Sequence, residues 1–127
     1  MGGVDMLDHV TLGVGDLAVS IAFYDAAFAP LGISRLYVYE DRFAGYGVGE
    51  KAFFWIGLKS PKQGAAHIAF TAPDRATVDA FHVAALAAGG IDNGGPGLRP
   101  LYHDNYYGAF ILDPDHHNIE AVCHLAA

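Results

Sequence analysis

Three things are scarce in this chain. Cys123 is the only cysteine. No intrachain disulfide can form, and the framework of small secreted domains is missing, which suits a reducing compartment. Basic residues number seven against fourteen acidic ones, for a net charge of −7, and no cluster of Lys or Arg occurs. Without such a cluster, nucleic acid and anionic membrane surfaces are disfavoured partners. Apolar runs are short or broken by charges, and none is long enough to span a bilayer. Residues 1–8 lack the basic and apolar regions of a signal peptide, so the expectation is a cytoplasmic protein. No Gly-rich phosphate loop and no G-x-S-x-G is present.

What is present suffices for one domain over 1–127. Hydrophobic residues make up 53% of the 127 residues and charged residues 17%, which supports a core and excludes disorder. Seven histidines are many for this length. Composition alone does not separate metal or proton chemistry from chance.

The organising feature is an internal repeat at an offset of 58 residues (67 − 9 = 58). Asp8-His9-Val10-Thr11-Leu12-Gly13-Val14 sets above Ala66-His67-Ile68-Ala69-Phe70-Thr71-Ala72, without a gap. Asp16 falls on Asp74, Phe23 on Phe81, Gly32 on Gly90 and Ile33 on Ile91. Residues 7–14 alternate and are β-rich, so they predict a strand. Asp16 is a good N-cap for a helix over 17–29, with Val19, Ile21, Phe23, Ala26, Ala27 and Phe28 as its apolar face. Pro30 and Gly32 stop it. Strands are predicted at 34–39, 42–47 and 52–58, and a linker at 59–64. The second half repeats the scheme. A strand at 65–72 precedes Asp74 and a helix that buries Val78, Phe81, Val83 and Leu86 and ends at Gly89-Gly90. Strands follow at 91–93, 106–112 and 118–124, and 94–104 reads as a loop. The expected class is α+β, with one βαβββ module over about 5–58 and another over about 65–125.

Strand side chains alternate between faces. Val10, Leu12 and Val14 should meet the first helix, as Ile68 and Phe70 should meet the second. His9, Thr11 and Gly13, like His67, Ala69 and Thr71, then project from the opposite face. Glu120 is the only carboxylate in the apolar run 119–123. Such a carboxylate is costly unless paired or ligating. Two imidazoles and one carboxylate on a metal would leave positions open for water or substrate, as in catalytic sites. Taken singly, a His on a strand is more often an ordinary hydrogen-bonded residue than a ligand.

These modules, each with His on its first strand, resemble the vicinal oxygen chelate superfamily of glyoxalase I, extradiol dioxygenases and the fosfomycin- and bleomycin-resistance proteins. The hairpin Asp113-Pro114-Asp115-His116-His117-Asn118-Ile119-Glu120 is the most specific stretch, similar to the family's D-P-D-G-[HN]-x-[IL]-E. The resemblance implies a U-shaped cup of mixed sheet with helices outside and a metal and small-molecule substrate within. It assigns His9, His67 and Glu120 as ligands of one divalent ion, with Fe, Mn, Ni and Zn all acceptable. It also implies a homodimer. A fourth ligand common in the family would fall near Trp55, where no acid or amide stands. Trp55 then reads either as a pocket wall or as core. His116 replaces the family's usual glycine at a turn position expected to need positive φ, and His117 is expected to be exposed.

The loop 101–107 offers Tyr102 and Tyr107 as substrate contacts and His103 as an acid or base. Its bland reading is a polar loop with aromatic anchors. Thr11 faces the expected cup and is a substrate-contact candidate, as is Trp55 in its reading as a pocket wall, and Arg99 is the candidate for an anionic substrate group. Glu120 is the candidate catalytic carboxylate as well as a ligand. His82 and His124 read as structural, and Cys123 as a small buried hydrophobe. The expected function is a metal-dependent enzyme, a glyoxalase-like lyase or isomerase or a dioxygenase-like one, acting on an oxygen-bearing substrate. The alternative is a non-catalytic binding protein of the bleomycin-resistance type. Fosfomycin inactivation fits poorly, because no Lys or Arg follows Arg99.

Overall fold

The computed structural model describes residues 7–58 and 66–127. The expected linker 59–64 lies outside the described residues. The first module runs β1 (Val10–Val14), α1 (Leu17–Phe28), a 3₁₀ turn (Ala29–Leu31), β2 (Ser34–Tyr39), β3 (Phe43–Val48) and β4 (Lys51–Leu58). The second runs β5 (His67–Thr71), α2 (Arg75–Ala87), β6 (Ile91–Asp92), β7 (Gly97–Leu98), β8 (Tyr107–Leu112) and β9 (Asn118–Cys123). The sheets have matching orders, β1-β4-β3-β2 and β5-β9-β8-β6, with β7 beside β8. In each, the first and last strands of the module pair in parallel and the remaining pairs are antiparallel. This is the expected α+β architecture, with one addition. The stretch read as a loop over 94–104 contains the two-residue strand β7.

The repeat shows in the caps. The Asp16 carboxylate accepts from the Val19 N–H at 3.1 Å, and the Asp74 carboxylate from the Thr77 N–H at 2.7 Å. Each bond satisfies one of the otherwise orphaned donors of a helix start. The buried stripes differ in part from those expected. On α1 they comprise Leu17, Ser20, Phe23, Tyr24, Ala27 and Phe28, and on α2 Val78, Phe81 and Ala85. Val19, Val83 and Leu86 are exposed instead. Spacing by three and four keeps residues 20, 23, 24, 27 and 28 on one side of a helix, and Val19 falls off that stripe.

One hydrophobic cluster runs through both modules. The Phe70 ring lies 4.9 Å from that of Phe28 and 5.5 Å from that of Phe54. Phe54 is fully buried, so Phe54→Ala should cost about 3–5 kcal/mol.

The hairpin turn before β9 also joins the modules. The Tyr24 hydroxyl donates to Asp113 Oδ2, and the Gly15 N–H to Asp115 Oδ1 at 3.0 Å. His117 accepts from the Ala66 N–H at Nδ1 (3.0 Å) and donates from Nε2 to the Gly13 carbonyl (2.9 Å). His117 is therefore buried, at 1% exposure, and not exposed as the motif suggested. The reason is docking: its turn sits against β1 and the start of α1. His116 takes φ 68°, the positive value expected there.

Candidate functional site

The alternation of β9 decides what its residues do. Ile119, Ala121 and Cys123 join the core cluster. Glu120 is on the opposite face, registered between Ala69 of β5 and Phe110 of β8. It is 1% exposed, and both its oxygens are engaged. His67 Nε2 lies 2.9 Å from Oε1, and the Tyr106 hydroxyl donates to Oε2. A carboxylate only accepts, so His67 carries its proton on Nε2 in this arrangement. Gly108 makes room: a Cβ there would stand 3.2 Å from both Oε2 and the Tyr106 ring. Burial, then the hydrogen bond to Glu120 and its charge, raise the Tyr106 hydroxyl well above its ordinary pKa.

Tyr106 and Tyr107 have opposite fates. Tyr107 donates to Asp79 of α2 at 2.6 Å and carries the Arg75 guanidinium over its ring at 5.1 Å. It faces the helices, away from Glu120, and Tyr106 supplies the hydroxyl instead. Tyr106 was not singled out in the sequence because adjacent tyrosines swap roles with a one-residue shift of register.

The other second-module candidates border the same face. Arg99 lies over the Phe110 ring at 5.3 Å and donates to the Gly95 carbonyl at 2.7 Å. The Phe110 ring in turn lies 6.1 Å from that of His67. Tyr102 packs on Tyr106 with centroids 4.8 Å apart. His103 packs on Tyr106 at 5.3 Å, and its Nε2 lies 3.0 Å from Nδ1 of His124. His103 thus meets the carboxylate site through Tyr106, and His124 is its partner. His82 binds Asp92 at 2.9 Å, and Cys123 is buried.

On the first module His9 is preset by its neighbours. Its Nδ1 donates to Asp8 Oδ2 at 2.8 Å, and Lys51 binds the other Asp8 oxygen. Lys51, then His9, hold the Asp8 carboxyl below its ordinary pKa. With Nδ1 protonated, the Nε2 lone pair of His9 is free to accept a donor or a metal. Thr11 pairs with Trp55 in the register of β1 and β4. The matching pair in the second module is Ala69 with Glu120, so Trp55 occupies the position of Glu120. Trp55 is a wall rather than core. With His9, Thr11, Tyr37, Val38, Tyr39 and Phe43 it lines a pocket of about 390 Å³.

His67 and Glu120 are therefore brought together, and His9 is not brought to them. Among the described residues, no three His, Cys, Asp or Glu side chains in the chain are placed to hold a metal ion. His9 instead lines a groove of about 610 Å³ between the modules, with Leu7, Phe53, Ile68 and Thr71 among its walls. The donor chemistry suits a divalent metal as a half-site. His67 and Glu120 supply one imidazole and one carboxylate. Asn118 Oδ1, two residues before Glu120 in the strand, is buried without a hydrogen-bond partner. Tyr106 fixes one Glu120 oxygen, and the other, which meets His67 here, would be the ligating one.

Comparison with known proteins agrees with this architecture. The sequence profile of the Glyoxalase/Bleomycin resistance protein/Dioxygenase superfamily matches residues 6–121. A glyoxalase/bleomycin resistance protein from Albidiferax ferrireducens is 33% identical with a TM-score of 0.78, over 94% of this chain and 98% of that one. An enzyme of the same family from Burkholderia phytofirmans is 22% identical (TM-score 0.74; 94% and 98% covered). Lactoylglutathione lyase from Agrobacterium tumefaciens is 19% identical (TM-score 0.71; 95% of each chain). The latter two likenesses show the fold alone. No curated protein matches the sequence.

Proposed function

The chain belongs to the Glyoxalase/Bleomycin resistance protein/Dioxygenase superfamily, and on that premise we propose that it is a metal-dependent enzyme acting on a small, oxygen-bearing substrate. The observation that carries the reading is Glu120: a carboxylate 1% exposed on an otherwise apolar strand, paired with His67 and held by Tyr106. His67 and Glu120 of one chain, with His9 of a second copy, would hold one divalent ion. β1 pairs only with β4, and β5 only with β9, among the described residues. β1, which His9 immediately precedes, and β5, which His67 opens, are thus both edges, and the groove beside them offers a surface for a second copy.

When bound, the metal supplies Lewis-acid stabilisation of negative charge on substrate oxygen. The chain's own groups do the rest. Asp8 fixes the tautomer of His9, and Tyr106 holds Glu120 in one orientation. His67, which directs Nε2 at Glu120 here, would ligate through that nitrogen with its proton carried on Nδ1. Arg99, over the Phe110 ring at the margin of this face, would meet an anionic end of the substrate. Whether the chemistry is of the lyase, isomerase or dioxygenase type is decided by substrate. No helix of the described residues is long and apolar enough to cross a membrane, and the proposed compartment is the cytoplasm.

The test is metal content and thermal shift with Mn²⁺, Fe²⁺, Ni²⁺ and Zn²⁺. The wild type should bind and be stabilised, and Glu120→Gln should fold but lose affinity sharply. One observation favours a second reading, non-catalytic sequestration of a small molecule: the donors do not converge within one chain. A wild-type protein that takes up none of these metals would support it.

A further inference from the structure

The open face of the first sheet is paved differently from that of the second. Two rows cross it in register. One is Thr11–Trp55–Gly45–Tyr37 and the other Gly13–Gly57–Phe43–Tyr39. Glycine alternates with aromatic rings for a steric reason. A Cβ on Gly45 would stand 2.7 Å from the indole of Trp55, and one on Gly57 would stand 2.5 Å from the ring of Phe43. Each ring therefore lies against the backbone of the neighbouring strand. Tyr37 stacks on Trp55, with centroids 5.9 Å apart and planes 8° from parallel. That spacing leaves no room for a third ring between them. A ligand must lie across the platform, against Tyr39, Phe43 and the edge of Trp55.

We propose that this platform binds an uncharged, planar aromatic molecule bearing a hydroxyl group. Three observations carry the assignment. The pocket over the platform, about 390 Å³, is of small-ligand size. Among the described residues no Asp, Glu, Lys or Arg lines it, so the described lining favours an uncharged ligand. Its polar groups beside the tyrosine hydroxyls are Thr11 and His9; the bond from His9 Nδ1 to Asp8 leaves His9 Nε2 as an acceptor in the metal-free protein, and the Thr11 hydroxyl is an acceptor with or without metal. The complement is a flat ring with an O–H donor. Tyr39 remains 61% exposed, which leaves ring surface for a ligand to cover. The inference deepens the proposed function and rests on it only for the ring's place in a reaction. The binding itself needs no metal.

The test titrates full-length, chelator-treated protein by calorimetry with 2-naphthol, its saturated analogue decahydro-2-naphthol, and anionic 2-naphthoate. Saturable binding of 2-naphthol is expected, with the other two weaker by about ten-fold or more. Phe43→Ala and Tyr39→Ala should each weaken 2-naphthol by about ten-fold. The second variant alters a ring that is largely exposed, so it tests the proposal even if the first fails to fold. Absence of binding, equal binding of the saturated alcohol, or unchanged affinity in a folded variant overturns the proposal. So does a Phe43→Ala protein that turns from dimer to monomer while still binding 2-naphthol, which would assign the face to a second copy. Failure of the wild type to take up metal, with 2-naphthol binding intact, sinks the metal reading alone.

Discussion

The imidazole of His117 bridges the two modules, accepting from Ala66 and donating to the carbonyl of Gly13 at 2.9 Å across 104 residues of chain. It needs one protonated and one bare nitrogen at once, and a neutral imidazole is the side chain that provides both.

Removing it should be costly. His117→Ala leaves a part-buried N–H and a buried carbonyl without their partner, each worth up to about 1–3 kcal/mol. We expect a loss of about 2–4 kcal/mol in urea unfolding. A loss below about 1 kcal/mol would show that water replaces the ring.

The tautomer of His9 gives a second prediction. Asp8→Asn removes the charged acceptor at Nδ1 and should weaken metal binding about 10–100-fold, with little change in the unfolding midpoint because Asp8 is exposed. Isothermal titration with Zn²⁺ or Mn²⁺ measures this. Equal affinities in wild type and variant would remove His9 from the ligand set or Asp8 from its support.

A shared site predicts complementation. His9→Ala and Glu120→Gln proteins should each fail to bind metal tightly. Unfolded together and refolded as a mixture, they should regain it, because a mixed dimer holds one intact set. If tight binding never returns although mixed dimers form, the three donors do not meet across copies.

Alkaline stability follows from the tyrosines. Burial is the largest cause raising the pKa of Tyr24, Tyr46 and Tyr106 above the ordinary 10.0, and the hydrogen bond to Asp79 is the largest for Tyr107. Above that value the unfolded chain loses protons that the folded chain keeps, so stability is full below about pH 10 and falls as pH rises further. Unfolding curves between pH 8 and 11 should show the decline. Tyr46→Phe should make it shallower by one proton, and an unchanged slope would exclude Tyr46.

The sequence made the repeat legible because caps and strand faces are local. Asp16 and Asp74 cap as expected, and His67 reaches Glu120 from the non-helix face that alternation gave it. What escaped was set by contacts between modules or by one-residue choices of register. His117 was hidden because its partners, Gly13 and Ala66, are brought to it only by folding. Tyr106 was hidden behind Tyr107 because the start of β8 decides which of the two turns inward. The separation of His9 from His67 is a matter of how the modules sit on each other, and no spacing in the chain encodes it locally.

Two identical half-sites would let a substrate sit in either of two equivalent poses. With an indole at one position and a carboxylate at its twin, the duplication has been made polar, one side for ring faces and the other for lone pairs. On the proposed function, a molecule bound across the two would have a head and a tail, and a single orientation would be favoured.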